Sequence, residues 1–178
     1  PPLVINEVDY DQPGSDGPEY LELFNPNAAP FDLTGIQVIL VNGNGEAPYE
    51  TIDLSSVAAT IAGGQYLVLH AAGVTPAGGA LTGSLPGSIQ NGDPDGIAIW
   101  DSGTSMLIDA LSYGGSITGA SIGGMSISLV EGTAANVSDP GEGSLSRIPN
   151  GSDTDEVGVD WTTTTCLPPG EANTTTCP

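Results

Sequence analysis

The sequence contains no lysine and a single arginine, Arg147, against 22 Asp and Glu, for a formal net charge of -21. The acids alone are unremarkable. What is missing is the cation, since charged residues make up 13% of the chain where an ordinary domain carries about 25%. Carboxylates without basic partners must be spread apart, hydrated or bridged by cations from the medium. A surface of this sign repels the phosphates of nucleic acid and the headgroups of anionic membranes. It favours metal cations, with calcium first because its ligands are oxygens.

Other scarcities narrow the reading further. Histidine occurs once, at His70, which falls at the end of an expected strand and reads as a surface residue. Gly-x-Ser-x-Gly is absent, so a serine-hydrolase site has no framework. Phe and Trp number two each, so the core must come from Ile, Leu, Val and Ala. No apolar run approaches the ~20 residues that span a bilayer as a helix, which argues against direct membrane insertion. The two cysteines, Cys166 and Cys177, have no histidine nearby and make a poor zinc set. A disulfide that clips the C-terminal tail, in an oxidising compartment, is the expected arrangement. The chain opens on Pro1-Pro2 rather than Met, as expected of a processed protein that is secreted or held at the cell surface.

Glycine (26) and proline (15) are abundant, and they punctuate short apolar runs, as turns between strands do. Strands are predicted at 3–8, 20–24, 35–41, 51–54, 65–70, 96–100, 107–112, 126–130, 145–147 and 161–164. Residues 36–41 are nearly all apolar, which places that strand centrally. Asn42-Gly43-Asn44-Gly45 is a turn signal. Residues 71–92 and 114–124 are predicted as long Gly-rich loops. The pattern is all-β, a two-sheet sandwich, with a domain over 1–161 and an extended Thr/Pro-rich tail over 162–178.

Three segments in order, Ile5-Asn6-Glu7-Val8, Glu19-Tyr20-Leu21-Glu22-Leu23-Phe24-Asn25 and Phe31-Asp32-Leu33-Thr34-Gly35-Ile36, resemble the opening of the lamin tail domain family, in its bacterial secreted branch. Later segments fit the same pattern: 89–96, Asp109-Ala110-Leu111-Ser112-Tyr113, Ser144-Leu145-Ser146-Arg147-Ile148-Pro149 and 168–173. The resemblance implies an immunoglobulin-like β-sandwich and no catalytic machinery. Bacterial members resemble modules of secreted or surface proteins.

Three acidic stretches are candidate calcium cages. Asp9, Asp11, Asp16 and Glu19 lie in one loop between two strands. Asn91, Asp93 and Asp95 form a tight second loop around Pro94. Asp153 and Asp155 belong to a third. Each also reads as a solvated acidic turn, because Asp and Asn favour turns. Glu7 and Glu22 could form a carboxylate pair of the hydrolase type, and a polar strand face is the preferred reading. A lone Arg in so acidic a chain should find a carboxylate, so Arg147 is expected in a structural ion pair within or at the rim of the sandwich. Asn136, Asn150 and Asn173 open glycosylation triplets. Trp100 and Trp161 could offer a sugar platform, though isolated Trp residues more often pack in sheets.

Together these features predict a non-enzymatic extracellular structural protein, a calcium-stabilised subunit of a filament or surface layer that self-associates through its termini. The alternative is a monomeric calcium-dependent adhesion or carbohydrate-binding module, with glycans or other surface proteins as partners.

Overall fold

The computed structural model describes residues 1–14, 17–134, 136–165 and 169–175. In chain order its strands are β1 (Val4–Asp9), β2 (Tyr20–Phe24), β3 (Phe31–Asp32), β4 (Ile36–Asn42), β5 (Ala47–Asp53), β6 (Thr60–Ile61), β7 (Tyr66–His70), β8 (Leu81–Ser84), β9 (Asp95–Asp101), β10 (Met106–Tyr113), β11 (Ala120–Ile122), β12 (Met125–Ile127), β13 (Ser144–Arg147) and β14 (Trp161–Thr164). One helical turn, α1 (Val157–Asp160), precedes β14.

Two sheets face each other. One has the order β14-β13-β1-β2-β7-β8, the other β10-β9-β4-β5. Leu3, Ile5, Val8, Leu21, Leu23, Leu67 and Leu69 of the first meet Val38, Leu40, Ile97, Ile99 and Leu111 of the second. This is an immunoglobulin-like β-sandwich with an aliphatic core, as the shortage of Phe and Trp requires. β4 lies between β9 and β5, and its unbroken apolar run has a physical reason. Val38 and Leu40 enter the sandwich, while Ile39 and Val41 join a second cluster on the outer face with Ala98, Trp100, Ile122 and Leu129.

That second cluster corrects the predicted loop at 114–124, because β11 lies within it and pairs with β12 to cover the four-stranded sheet. The predicted loop at 71–92 likewise contains β8, which pairs in parallel with β7. Leu-Thr-Gly-Ser carries no alternating pattern. Its place depends on Gly83, where a Cβ would crowd Val57 and Leu69. β14 takes the first residues of the expected tail, 162–164, into the sheet.

Two bulges decide which side chains face where. In β1 the register shifts between Ile5 and Glu7, so Asn6 and Glu7 both reach the outer face while Ile5 and Val8 stay in the core. In β10 the shift falls between Leu107 and Asp109. Leu107 packs on the outer cluster, and Asp109 turns inward opposite core residue Ile99. An extra residue in one strand re-aims everything beyond it.

Gly43, in the turn after β4, is set by close approach, since a Cβ there would collide with the carbonyl of Pro94. Gly43→Ala is expected to cost about 1–3 kcal/mol, the range of overpacking. Urea melts of the two proteins check it, and equal midpoints would refute it.

Candidate functional site

The only basic side chain lies in the sandwich. Arg147 is fully buried and bonds four carboxylates: Asp109 at 3.0 Å, Asp153 at 3.1 Å, Asp160 at 3.2 Å and Glu131 at 3.3 Å. Its Nε donates to the Ile5 carbonyl at 2.8 Å, and the guanidinium carbon sits 4.9 Å from the centre of the Trp161 ring. The expected pairing with one carboxylate is thus a four-acid cluster. The β10 bulge delivers Asp109, which also accepts from Ile5 N at 2.6 Å. The turn before β14 delivers Asp153 and Asp160. Burial lifts the Asp109 carboxyl, with Arg147 opposing. Burial and then the Asp109 charge push Glu131 up to about 9. Asp109, Glu131 and Asp153 offer oxygens within 4.8 Å of one another, close enough for a metal. The cation already held against all three is Arg147.

Glu7 and Glu22 face each other across β1 and β2, but not on a solvated strand face. They are 2% and 0% exposed. Glu7 accepts from Tyr20 Oη at 2.7 Å and from Ser144 Oγ. Glu22 accepts from Asn6 Nδ2 at 2.6 Å and from Gly170 N at 2.5 Å. Burial raises both carboxyls, and the Glu7 charge helps push Glu22 up to about 8. The tail covers them. Pro169 accepts from Ala77 N at 2.8 Å. Asn173 Nδ2 donates to the Asn6 carbonyl at 2.8 Å, and Asn173 N donates to Asn150 Oδ1 at 2.9 Å. The described part of the tail therefore docks on its own domain.

The three acidic stretches are held in three different ways. Asp9 is buried, accepts from Gln12 Nε2, and is raised by burial to about 7. Around it the backbone presents amides: Tyr10 N and Asp11 N donate to Asp139 Oδ2 at 2.9 and 3.4 Å. Asp16 lies outside the described residues. Glu19 is buried under the second loop and accepts from Ile89 N at 2.7 Å. In the third stretch Asp153 is bound to Arg147, and Asp155 is exposed. In the second, Asp95 is fully buried at the start of β9 while Asp93 and Asn91 are exposed in the preceding loop.

Asp139, Asp109 and Glu131 were not among the residues predicted from sequence, and Asp160 stood there only as an acid close behind the third stretch. Asp109 alone had a signal, an acid within the apolar strand 107–113. Trp100 and Trp161 are 2% and 6% exposed, which leaves no sugar platform on them. Asn136 is exposed, whereas the amides of Asn150 and Asn173 hold the tail in place. Cys166 and Cys177 lie outside the described residues. Among the described residues no helix is long and apolar enough to cross a membrane.

No curated protein matches the chain. The Lamin Tail Domain family model matches residues 1–115, the span from β1 through β10 with Asp109 at its inward turn. The family is one of structural immunoglobulin-like domains rather than enzymes. The chain belongs to the lamin tail domain family.

Proposed function

We propose that this chain is a non-enzymatic structural module of the bacterial secreted branch of the family, an extracellular or cell-surface subunit whose self-association depends on calcium. One observation carries the reading. The sole arginine is 0% exposed and lysine is absent, so the outer surface offers no lysine or arginine to meet its own carboxylates, only the half-buried His70. Two copies repel each other through every exposed acid. Monovalent salt screens this beyond ~8 Å at physiological strength, but only a cation held between the surfaces removes the repulsion at contact. With Pro169–Asn173 engaged on the chain's own sheet, the contacts in this reading fall to the acidic loops and to outer strand β14, which has a sheet partner on one side only. Glycans and other surface proteins are the partners of the monomeric alternative. The buried tryptophans count against a sugar platform.

Sedimentation at fixed ionic strength tests this. Mean mass should rise as calcium replaces sodium and fall on chelation. A mass unchanged across the titration would overturn the reading.

A further inference from the structure

Two oxygens at one end of the sandwich are buried without a hydrogen bond. Asn42 ends β4 and Asp95 begins β9, and the two are direct partners in the antiparallel register. Their side chains therefore leave the sheet on the same face, side by side. Tyr113, the partner of Asp95 on β10, shares that face. Asp95 is 0% exposed. Its Oδ1 accepts from Gly43 N at 3.2 Å, while its Oδ2 has no hydrogen-bond partner. Asn42 Nδ2 donates to Gln90 Oε1 at 2.6 Å, and Asn42 Oδ1 has no partner. The Asp95 carboxyl takes the backbone N–H groups of Gly43 and Gly92, but a buried carboxylate oxygen left beside a buried carbonyl oxygen is costly unless a cation or a proton lies between them.

The loop over this pair is firmly held. Gln90 N donates to Tyr49 Oη at 2.9 Å, and the Gln90 carbonyl accepts from Tyr113 Oη at 2.7 Å. The loop approaches the neighbouring strands at two glycines. A Cβ on Gly43 would strike the Pro94 carbonyl, and one on Gly114 would strike Asp93 Oδ1. Asp93 thereby stands against Gly114, two residues before Asp95 in the same held turn.

We propose that Asp95 Oδ2, Asn42 Oδ1 and the Asp93 carboxylate bind one calcium ion, with water and loop carbonyls completing its shell. The proposal shares its ion with the reading above but is a site within one chain, distinct from calcium held between two copies. The donors are all oxygen, which excludes the thiolate and imidazole sets of zinc. Two carboxylates and an amide in a loop suit the six to eight flexible ligands of calcium better than the strict octahedron of magnesium. With about half the shell left to water, affinity falls in the range of extracellular modules, roughly 10⁻⁴–10⁻³ M. The ion satisfies both orphan oxygens and cancels the repulsion between Asp93 and Asp95. Two other arrangements satisfy them: an Asn42 amide turned so that Nδ2 meets Asp95 and Oδ1 meets a turned Gln90, or a proton on Asp95 Oδ2 donated to Asn42 Oδ1. Neither needs an ion.

Terbium luminescence on the intact chain, sensitised by the adjacent Tyr49 and Tyr113 and competed with calcium, distinguishes them. Wild type should give a calcium-displaceable signal. Asp95→Asn should weaken calcium binding by at least about tenfold, as expected for loss of a charged ligand. Asp93→Asn, at an exposed position that leaves folding intact, should weaken it severalfold, and Asp155→Asn in the third acidic loop should leave it unchanged. A wild-type signal retained in both Asp95→Asn and Asp93→Asn would overturn this site and leave calcium to another loop. No displaceable signal in wild type would overturn the site and leave the two oxygens to the turned amide or a proton, while the sedimentation titration decides the calcium reading separately.

Discussion

Replacing Arg147 by methionine should cost the domain at least about 3–5 kcal/mol, the penalty for removing one partner of a buried ion pair. That is a large fraction of the 5–15 kcal/mol that holds an ordinary domain together. At about 2–4 °C per kcal/mol for a chain of this size, the midpoint should fall by roughly 10–15 °C. The reason is what stays behind. Methionine fills the volume, but Asp109, Asp153, Asp160 and Glu131 lose their common cation, and the Ile5 carbonyl loses its donor. Arg147→Lys should be nearly as harmful. An ammonium has three donors and no planar fork, and it cannot reach two carboxylates on each side and the Ile5 carbonyl together. Lowering the pH should narrow the gap, because protonating the orphaned acids removes the charge that the substitution left uncompensated. Thermal and urea melts of the three proteins at neutral and acidic pH read this out. A methionine variant within about 1 kcal/mol of wild type, below the usual cost of a core substitution, would show that the cluster contributes nothing net.

The sequence made the scaffold legible and the clusters only in part. Alternation in Glu19–Phe24 and the apolar run Ile36–Val41 located β2 and β4 because hydrophobic period follows burial directly. The lone cation and the surplus acids made an ion pair at Arg147 a matter of arithmetic. Its partners were hidden for a geometric reason. Simple alternation along 107–111 puts Leu107, Asp109 and Leu111 on one face, and the bulge splits them, sending Leu107 to the outer cluster while Asp109 stays inward with Leu111. A bulge leaves no residue-type signature. The same holds for Glu7 and Glu22, which read as solvated strand positions because nothing in their neighbourhood announces a tail arriving from residues 169–173. In the acidic loops, too, some partners were hidden by distance: Asp139, which takes the Asp11 amide, and Ile89, whose amide bonds Glu19, are 128 and 70 positions away, whereas Asp9 is held by nearby Gln12. Asn42, which completes the calcium site proposed here, appeared only as the first residue of a turn.

Raising the pH from 5 to 9 should destabilise this protein, with Glu22 as a principal cause. In the unfolded chain Glu22 titrates near 4.5, and in the folded one it is raised to about 8, by burial first and the Glu7 charge second. Between those values the folded state holds a proton that the unfolded state has released. The stabilisation is therefore fully present below the lower value and is lost as pH climbs through the upper one. Glu7 shifts in the same direction. The other ionisable groups on this face are Tyr20 on its own strand, Tyr66 and His70 on β7 and Glu171 on the tail. No lysine or arginine is among them, and Arg147 lies on the opposite face of the sheet. Two exposed acids, Asp32 and Asp101, are lowered by hydrogen bonds from Thr34 and Thr104, so their contribution disappears only in stronger acid. Stability should thus peak in mild acid and fall by a few kcal/mol, roughly 5–10 °C in midpoint for a chain of this size, on the way to pH 9. The first segment to leave should be the tail, since Gly170 N is bonded to the group that becomes charged. Hydrogen exchange at Gly170 and Asn173 should accelerate beyond the intrinsic pH effect, ahead of exchange in β1 and β2. Glu22→Gln cannot ionise, so it should flatten both trends even though it loses one acceptor oxygen and starts from a lower midpoint. Midpoints that rise toward alkaline pH, or a glutamine variant with the wild-type slope, would place the titrating group elsewhere and leave the tail fixed by Asn173 and Pro169 alone.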